Sequence, residues 1–391
     1  MTLREKIVQE IRERGPIPFS RYMEMCLYDP ELGYYSRNAE QFGKAGDFYT
    51  SSDVHAVFGR LLARQFEEMW RVLESPEQIE IVELGPGRGL FAQDVLDWSE
   101  KTFPKFFHAL HYSLVETSPV LRVRLQGTLG EHFARNKASL CDARNLPERC
   151  SSTAAIVFAN EFFDALPVEI VSGEGALRIG ERHGRFVEVW SPASSRELEF
   201  LNRYGIHPAA EERVEVPLIG HAGMVKIAES VGRGFVIAID YGYSRQEQLS
   251  GRHRDTLMTY RQHSACDDPY QAPGEQDITA HVNFTALAAA AEKGGMQVQP
   301  LHSQSNFLLG IGEKTQFADA FQQCRLPQEH AKVALQLKHL ITPEGMGESF
   351  QVLVASKGVK LSAVEGLCGL SFGKNRGQSM AQRDIGNVPR V

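Results

Sequence analysis

The sequence has no apolar run near the ~20 residues that a membrane-spanning helix requires, so no membrane span is expected. Its six cysteines, Cys26, Cys141, Cys150, Cys266, Cys324 and Cys368, are scattered. No pair has C-x-x-C spacing, which excludes the usual zinc and dithiol patterns, and nothing suggests a disulfide framework; no metal is expected. A basic excess is missing too. The net charge of −7 speaks against a nucleic-acid binder and suits a basic partner. The N-terminus lacks the apolar core of a signal peptide, and Glu5, Glu10 and Glu13 are out of place in a mitochondrial presequence. A cytoplasmic protein is expected.

With 391 residues, 42% hydrophobic and 23% charged, the chain has an ordinary globular composition. Leu3, Ile7, Val8 and Ile11 share one face of a short N-terminal helix that Gly15 closes. Residues 15–36 are dense in Pro, Gly and aromatics, too apolar for a linker, and are expected to fold over something. A helix is predicted through Val54–Leu73.

From Ile79 the pattern alternates. Apolar strands are predicted at Ile79–Leu84, Tyr112–Glu116, Ala154–Ala159 and Phe235–Asp240, with a later pair near Val298–Leu301 and Phe350–Ala355. Helical stretches such as Phe284–Lys293 lie between most of them. This predicts an α/β fold, a mostly parallel sheet with helices on both faces. Insertions interrupt it at about 168–230, where a hairpin is expected, and at about 241–280, a polar stretch suited to an active-site loop. The organisation read from this is an N-terminal extension over 1–75 covering the site, a main domain over 76–358, and a tail over 359–391. The tail has little periodicity and is expected to be partly disordered.

The strand at Ile79–Leu84 runs into a glycine turn and then a helix, a close-approach site for a nucleotide-like ligand. The spacing is Gly85-Pro86-Gly87-Arg88-Gly89, not the G-x-G-x-x-G of a dinucleotide site. Glu83, just before the turn, would repel a pyrophosphate but suits the amino group of S-adenosyl-L-methionine. Glu116, ending the next strand, can accept the ribose hydroxyls, and Asp142, one unit later, can accept from the adenine amino group. Alternatives remain for each: a tight turn without ligand, helix caps, or surface charges. Three acids after successive strands favour the cofactor.

ELGPGRG at 83–89, NEFFDALPV at 160–168, GDFYTS at 46–51 and PGEQDITAHVNF at 273–284 resemble the MidA-type S-adenosyl-L-methionine-dependent methyltransferases. The resemblance runs from about Gly15 to about Gly358. It implies a class I methyltransferase, Rossmann-like fold with inserted lid segments. Mitochondrial members are complex I assembly factors that dimethylate an arginine symmetrically. For this chain it implies a protein arginine N-methyltransferase, with a respiratory complex I subunit as a candidate substrate.

At the end of the fourth strand, Glu161 and Asp164 are the acids available to grip a guanidinium, one of them receiving its proton. Asn160 is placed against cofactor or substrate. Asp164 as a helix cap and Glu161 in an ion pair are the competing roles. The resemblance assigns Gly46, Asp47, Thr50 and Ser51 to closing over the cofactor; a capped helix start is equally compatible. Asp240 and Tyr241, with Asp277 and His281, are expected to bind substrate, His281 being a candidate base. A small-molecule methyltransferase and a non-catalytic S-adenosyl-L-methionine-binding assembly chaperone remain alternatives.

Overall fold

The computed structural model describes residues 1–36, 56–261, 264–266 and 268–372. Seven strands make the central sheet: β1 Ile79–Leu84, β2 Leu110–Val115, β3 Ala138–Cys141, β4 Ala154–Asn160, β5 Arg233–Tyr243, β6 Gln297–Val298 and β7 Phe350–Lys357. Their order is 3-2-1-4-5-7-6, with two-residue strands Val282–Asn283 and His302–Ser303 added beside β5 and β7. Strands β1 to β5 pair in parallel, and β7 is antiparallel to both neighbours.

Alternation along each strand builds two cores. Ile81, Tyr112, Phe158, Phe235 and Ile237 face one layer, covered by the helices Ala56–Val72 and Leu90–Thr102. Val82, Val157, Val236 and Ala238 face the other, covered by Leu218–Ser230 and Phe284–Lys293. Burial on both faces is why these strands read as continuous apolar runs. The order reverses beside β1, the switch point at whose carboxyl edge such sheets bind ligands.

The insertion after β4 is an antiparallel sheet. Gly175–Arg182 and Arg185–Ser191 form the expected hairpin, turning at His183 and Gly184, both with positive φ. Glu169–Ser172, itself paired with Val214–Val216, and Ile17–Pro18 from the N-terminus both pair with Gly175–Arg182, along the edge that Arg185–Ser191 leaves open. The helices Leu3–Arg14 and Phe19–Tyr28 pack over it, so Ile7, Phe19, Tyr22, Leu177 and Ile179 share a core with Ile278 of the second insertion. The N-terminal segment and both insertions thus form one layer beside the carboxyl edge of the main sheet. A small sheet of Met258–Arg261, Ser264–Cys266 and Asp277–Thr279 completes that layer.

Two local expectations differ from the structure. The short edge strand β3 escapes the apolar pattern because Ser139 and Leu140 are only partly covered. The expected strand at Val298–Leu301 stops at Val298, before Pro300. The tail is ordered in its described part: Leu361–Glu365 and Cys368–Ser371 are helical, with Val364, Leu367 and Leu370 in the core. Glu68 there accepts the N–H and S–H of Cys368, each at 2.9 Å. Six free cysteines are present, as the scattered spacing predicts.

Candidate active site

A cavity of about 630 Å³ opens where the carboxyl ends of β1, β2 and β4 meet the added layer. One half is built by the glycine turn. Gly85, Gly87 and Gly89 have φ of 63°, 53° and 79°, values at which a side chain is strained. A Cβ on Gly85 would also stand 3.0 Å from the ring of Phe162, so the turn and the β4 loop approach as closely as glycine permits. Gly89 begins the helix Leu90–Thr102, whose first N–H groups face the turn.

Glu83 is only 5% exposed, and the Tyr112 hydroxyl donates to its Oε2 at 2.8 Å. Burial pushes its carboxyl up to about 8, against that hydrogen bond. Glu116 lies just beyond β2; burial pushes it up to about 7, against N–H groups that include Ser118 at 2.8 Å. At the end of β4 the Asn160 amide donates to Glu161 Oε1 at 3.0 Å. Its own Oδ1 is buried without a hydrogen-bond partner among the described residues. One buried and one half-buried carboxyl, an unmatched amide oxygen and a glycine cradle fit the ammonium, ribose and close backbone approach of S-adenosyl-L-methionine.

Asp142 stands apart from this cradle. Its carboxylate caps the turn Ala143–Asn145 through Arg144 N–H at 2.9 Å and takes the Arg144 guanidinium at 2.7 Å. Those bonds hold it well below the usual carboxylate range. Ala143, the next residue, lines the cavity, while the Asp142 carboxylate is held by Arg144. Gly46, Asp47, Thr50 and Ser51 lie outside the described residues.

The other half of the cavity gathers Glu161, Asp164 and Asp277 with Tyr35, Tyr241 and His281. Glu161 has φ 49°, rare for a residue with a side chain, where the chain turns out of β4. Asp164 caps no helix. It is buried, its Oδ1 has no hydrogen-bond partner among the described residues, and burial together with Asp240, Glu161 and Asp277 pushes its carboxyl far up. The Asp277 carboxylate accepts from the Tyr35 hydroxyl at 2.9 Å.

Asp240 and His281, both expected to bind substrate, take different places. Asp240 does not line the cavity: its buried carboxylate accepts the backbone N–H groups of Phe162, Phe163 and Asp164 and shapes the loop from beneath. His281 does line it, and burial, with the neighbouring His253 3.3 Å away, pushes its imidazole down to about 4. Tyr35 and Tyr28 went unnoticed in the sequence. Their only signal was the aromatic density of residues 15–36, which fold over the cavity: Tyr28 donates to Ala165 O at 2.9 Å, and Ser118 to Tyr35 O at 2.7 Å. Arg254 and Arg261 of the second insertion are engaged internally, with Glu212 and Glu275.

Among the described residues no helix is long and apolar enough to cross a membrane, and no cluster of side chains fits a metal ion. Comparison with known proteins agrees with the cofactor half. Residues 61–301 match the profile of a family described as "Putative S-adenosyl-L-methionine-dependent methyltransferase". A Drosophila melanogaster protein named protein arginine methyltransferase NDUFAF7 homolog, mitochondrial, is 30% identical across 92% of this chain and 85% of its own. The Homo sapiens protein arginine methyltransferase NDUFAF7 is 27% identical across 88% and 81%. A Burkholderia thailandensis structure with bound S-adenosyl-homocysteine superposes with a TM-score of 0.79, at 30% identity and 94% coverage of each chain. With the turn, the acids and the strand order in place, the chain belongs to this family of S-adenosyl-L-methionine-dependent methyltransferases.

Proposed function

We propose that this methyltransferase acts on an arginine side chain of a protein, with a respiratory complex I subunit as the candidate substrate. One observation carries the reading. Glu161, Asp164 and Asp277 converge on one end of the cavity, and Asp164 Oδ1 is buried without a partner among the described residues. Crowded buried acids call for a cation, and a planar guanidinium can meet two carboxylates at once. The names of the relatives above point to the same acceptor. The cytoplasmic setting expected from the sequence is part of this proposal.

Glu83, the turn from Gly85 to Gly89, Glu116 and Asn160 are the residues that would hold the cofactor. S-adenosyl-L-methionine supplies an activated methyl group. The chain's own work is orientation, exclusion of water and management of one proton. Burial and its acidic neighbours push the Asp164 carboxyl far up and so favour its neutral form. An arriving guanidinium offsets those charges and favours the Asp164 anion, its proton passing to bulk water as the cation enters, so that the carboxylate can orient the acceptor. The acceptor nitrogen, on gaining its methyl group, sheds one proton, which Glu161 receives. Asp277 steadies the far side of the acceptor through its bond to Tyr35.

The test uses lysate of cells lacking this protein, mixed with purified enzyme and methyl-labelled S-adenosyl-L-methionine. Label on an arginine of one discrete protein is expected, and Glu161→Gln should abolish it while S-adenosyl-homocysteine still binds. Label confined to small molecules would overturn the reading in favour of a small-molecule methyltransferase. No label despite cofactor binding would overturn it in favour of an assembly chaperone.

A further inference from the structure

Tyr35 occupies a position that none of the motifs marks. It precedes the glycine turn by 50 residues in sequence, yet it touches both halves of the cavity. Its hydroxyl donates to Asp277 Oδ1 at 2.9 Å, in the acceptor half. Its carbonyl accepts from the Ser118 hydroxyl at 2.7 Å, in the cofactor half. Ser118 in turn donates its backbone N–H to Glu116 Oε1 at 2.8 Å. Three hydrogen bonds, joined through the covalent frames of Ser118 and Tyr35, therefore link the acid placed for the ribose to an acid placed for the guanidinium.

The surroundings keep that link short and fixed. The Tyr35 ring packs 5.6 Å from the Tyr28 ring and 5.2 Å, edge-on, from the Tyr34 ring. Tyr28 is tied by its hydroxyl to Ala165 O, one residue beyond Asp164. Asp277 is 2% exposed and also accepts the N–H of Ile278 at 3.0 Å, which leaves its carboxylate little freedom to turn. Ser118 caps the helix Pro119–Thr128 through Leu121 N–H at 3.3 Å, so its hydroxyl is likewise anchored.

We infer that Tyr35 is a positioning residue of the acceptor site that couples the two half-sites, so that filling the cofactor half prepares Asp277 to receive the guanidinium. The inference rests on the arginine reading above. A ligand that draws on Glu116 acts on the Ser118 backbone, on the Tyr35 main chain, and so on the hydroxyl that holds Asp277. Coupling of this kind is reciprocal, and guanidinium binding tightens the cofactor half by the same factor. It also gives the residues before the glycine turn a role beyond covering the cavity.

Methylguanidinium is the probe, titrated calorimetrically into the full chain with and without saturating S-adenosyl-homocysteine, for wild type and Tyr35→Phe. The phenylalanine keeps the ring against Tyr28 and Tyr34, and unchanged S-adenosyl-homocysteine affinity shows that the variant is folded. Wild type should bind the probe about fivefold or more tightly once the cofactor half is filled, in the range usual for coupled sites. In Tyr35→Phe that factor should fall to near one. A variant that keeps the wild-type factor overturns the inference and leaves the arginine reading standing. A wild type that fails to bind methylguanidinium under either condition overturns the arginine reading, and the coupling with it.

Discussion

Asp240 Oδ2 accepts the backbone N–H of Phe163 at 2.9 Å, and the same oxygen also takes those of Phe162 at 3.1 Å and Asp164 at 3.3 Å. Its Oδ1 accepts the Tyr241 N–H at 3.0 Å. A fully buried acid in β5, just past its pairing with β4, thus determines the shape of the loop that carries Glu161 and Asp164. Asp240→Asn must set an amide N–H₂ against at least one of these donors. It should cost about 1–3 kcal/mol, as a buried unsatisfied group does. Melting and methyl-transfer assays should show lower Tm and a large loss of transfer, with S-adenosyl-homocysteine binding largely kept. Full activity would show that the clamp is dispensable.

Cofactor affinity should rise with pH. In the free protein Glu83 is pushed up to about 8 and Glu116 to about 7. An ammonium group binds the Glu83 anion, whose fraction falls as pH drops below about 8. The S-adenosyl-homocysteine affinity should therefore climb from pH 6 to 8, by at most about tenfold per unit for this one group, and level off above. Glu83→Gln should bind weakly and with a flatter profile. Calorimetry across that range decides it, and a flat wild-type curve would remove Glu83 from the ammonium site.

Gly85→Ala combines two penalties. Its φ of 63° is strained for any side chain, and the new Cβ would meet the Phe162 ring at 3.0 Å. A backbone cost of roughly 1–2 kcal/mol is expected, together with displacement of the loop at Phe162. Binding of S-adenosyl-homocysteine should weaken by about tenfold, the equivalent of 1.4 kcal/mol, with only a modest drop in Tm. Unchanged binding would mean that the turn tolerates a side chain.

The C-terminal helices should matter for stability. Leu370 is 1% exposed and packs with Val364 and Leu367 in the larger core. Leu370→Ala should cost about 2–5 kcal/mol, as large-to-small core changes do. A chain ended before Leu361 should melt well below the full chain, since Glu68 and Gln65 lose the N–H groups of Cys368 and Gly369. Equal melting curves would show a tail that merely rests on the surface.

Much of the fold was legible because its cause is local. Phe235, Val236 and Ile237 are apolar in a row since both faces of β5 are covered. The turn from Gly85 to Gly89 declares itself by positive φ at each of its three glycines. The helix Phe284–Lys293 has its predicted bounds, with Asn283 as its cap. Glu83, Glu116 and Glu161 were found as acids at strand ends, where a parallel sheet presents them to a ligand.

The remainder depended on distant partners. Asp240 and Asp277 were both expected to bind substrate, yet one serves the loop and the other the cavity. Pairing of Ile239 with Asn160 brings Asp240 beneath the residues that follow β4, and no local pattern encodes that register. Asp142 carried the expected spacing, but Arg144, two residues on, takes its carboxylate. The tail looked aperiodic because its apolar residues answer to Ala56–Val72, about 300 positions earlier, and not to a repeat of their own.

The sequence by itself determined the class of sheet, the glycine turn and the acids that follow successive strands, because each arises from backbone geometry and burial within a few residues. Tertiary structure alone decided which acids face the cavity, which shape it from behind, and that Tyr35 reaches Asp277 across 242 positions of chain. Side-chain direction and long-range contact are set by how layers pack, and strand register, not spacing, places those layers.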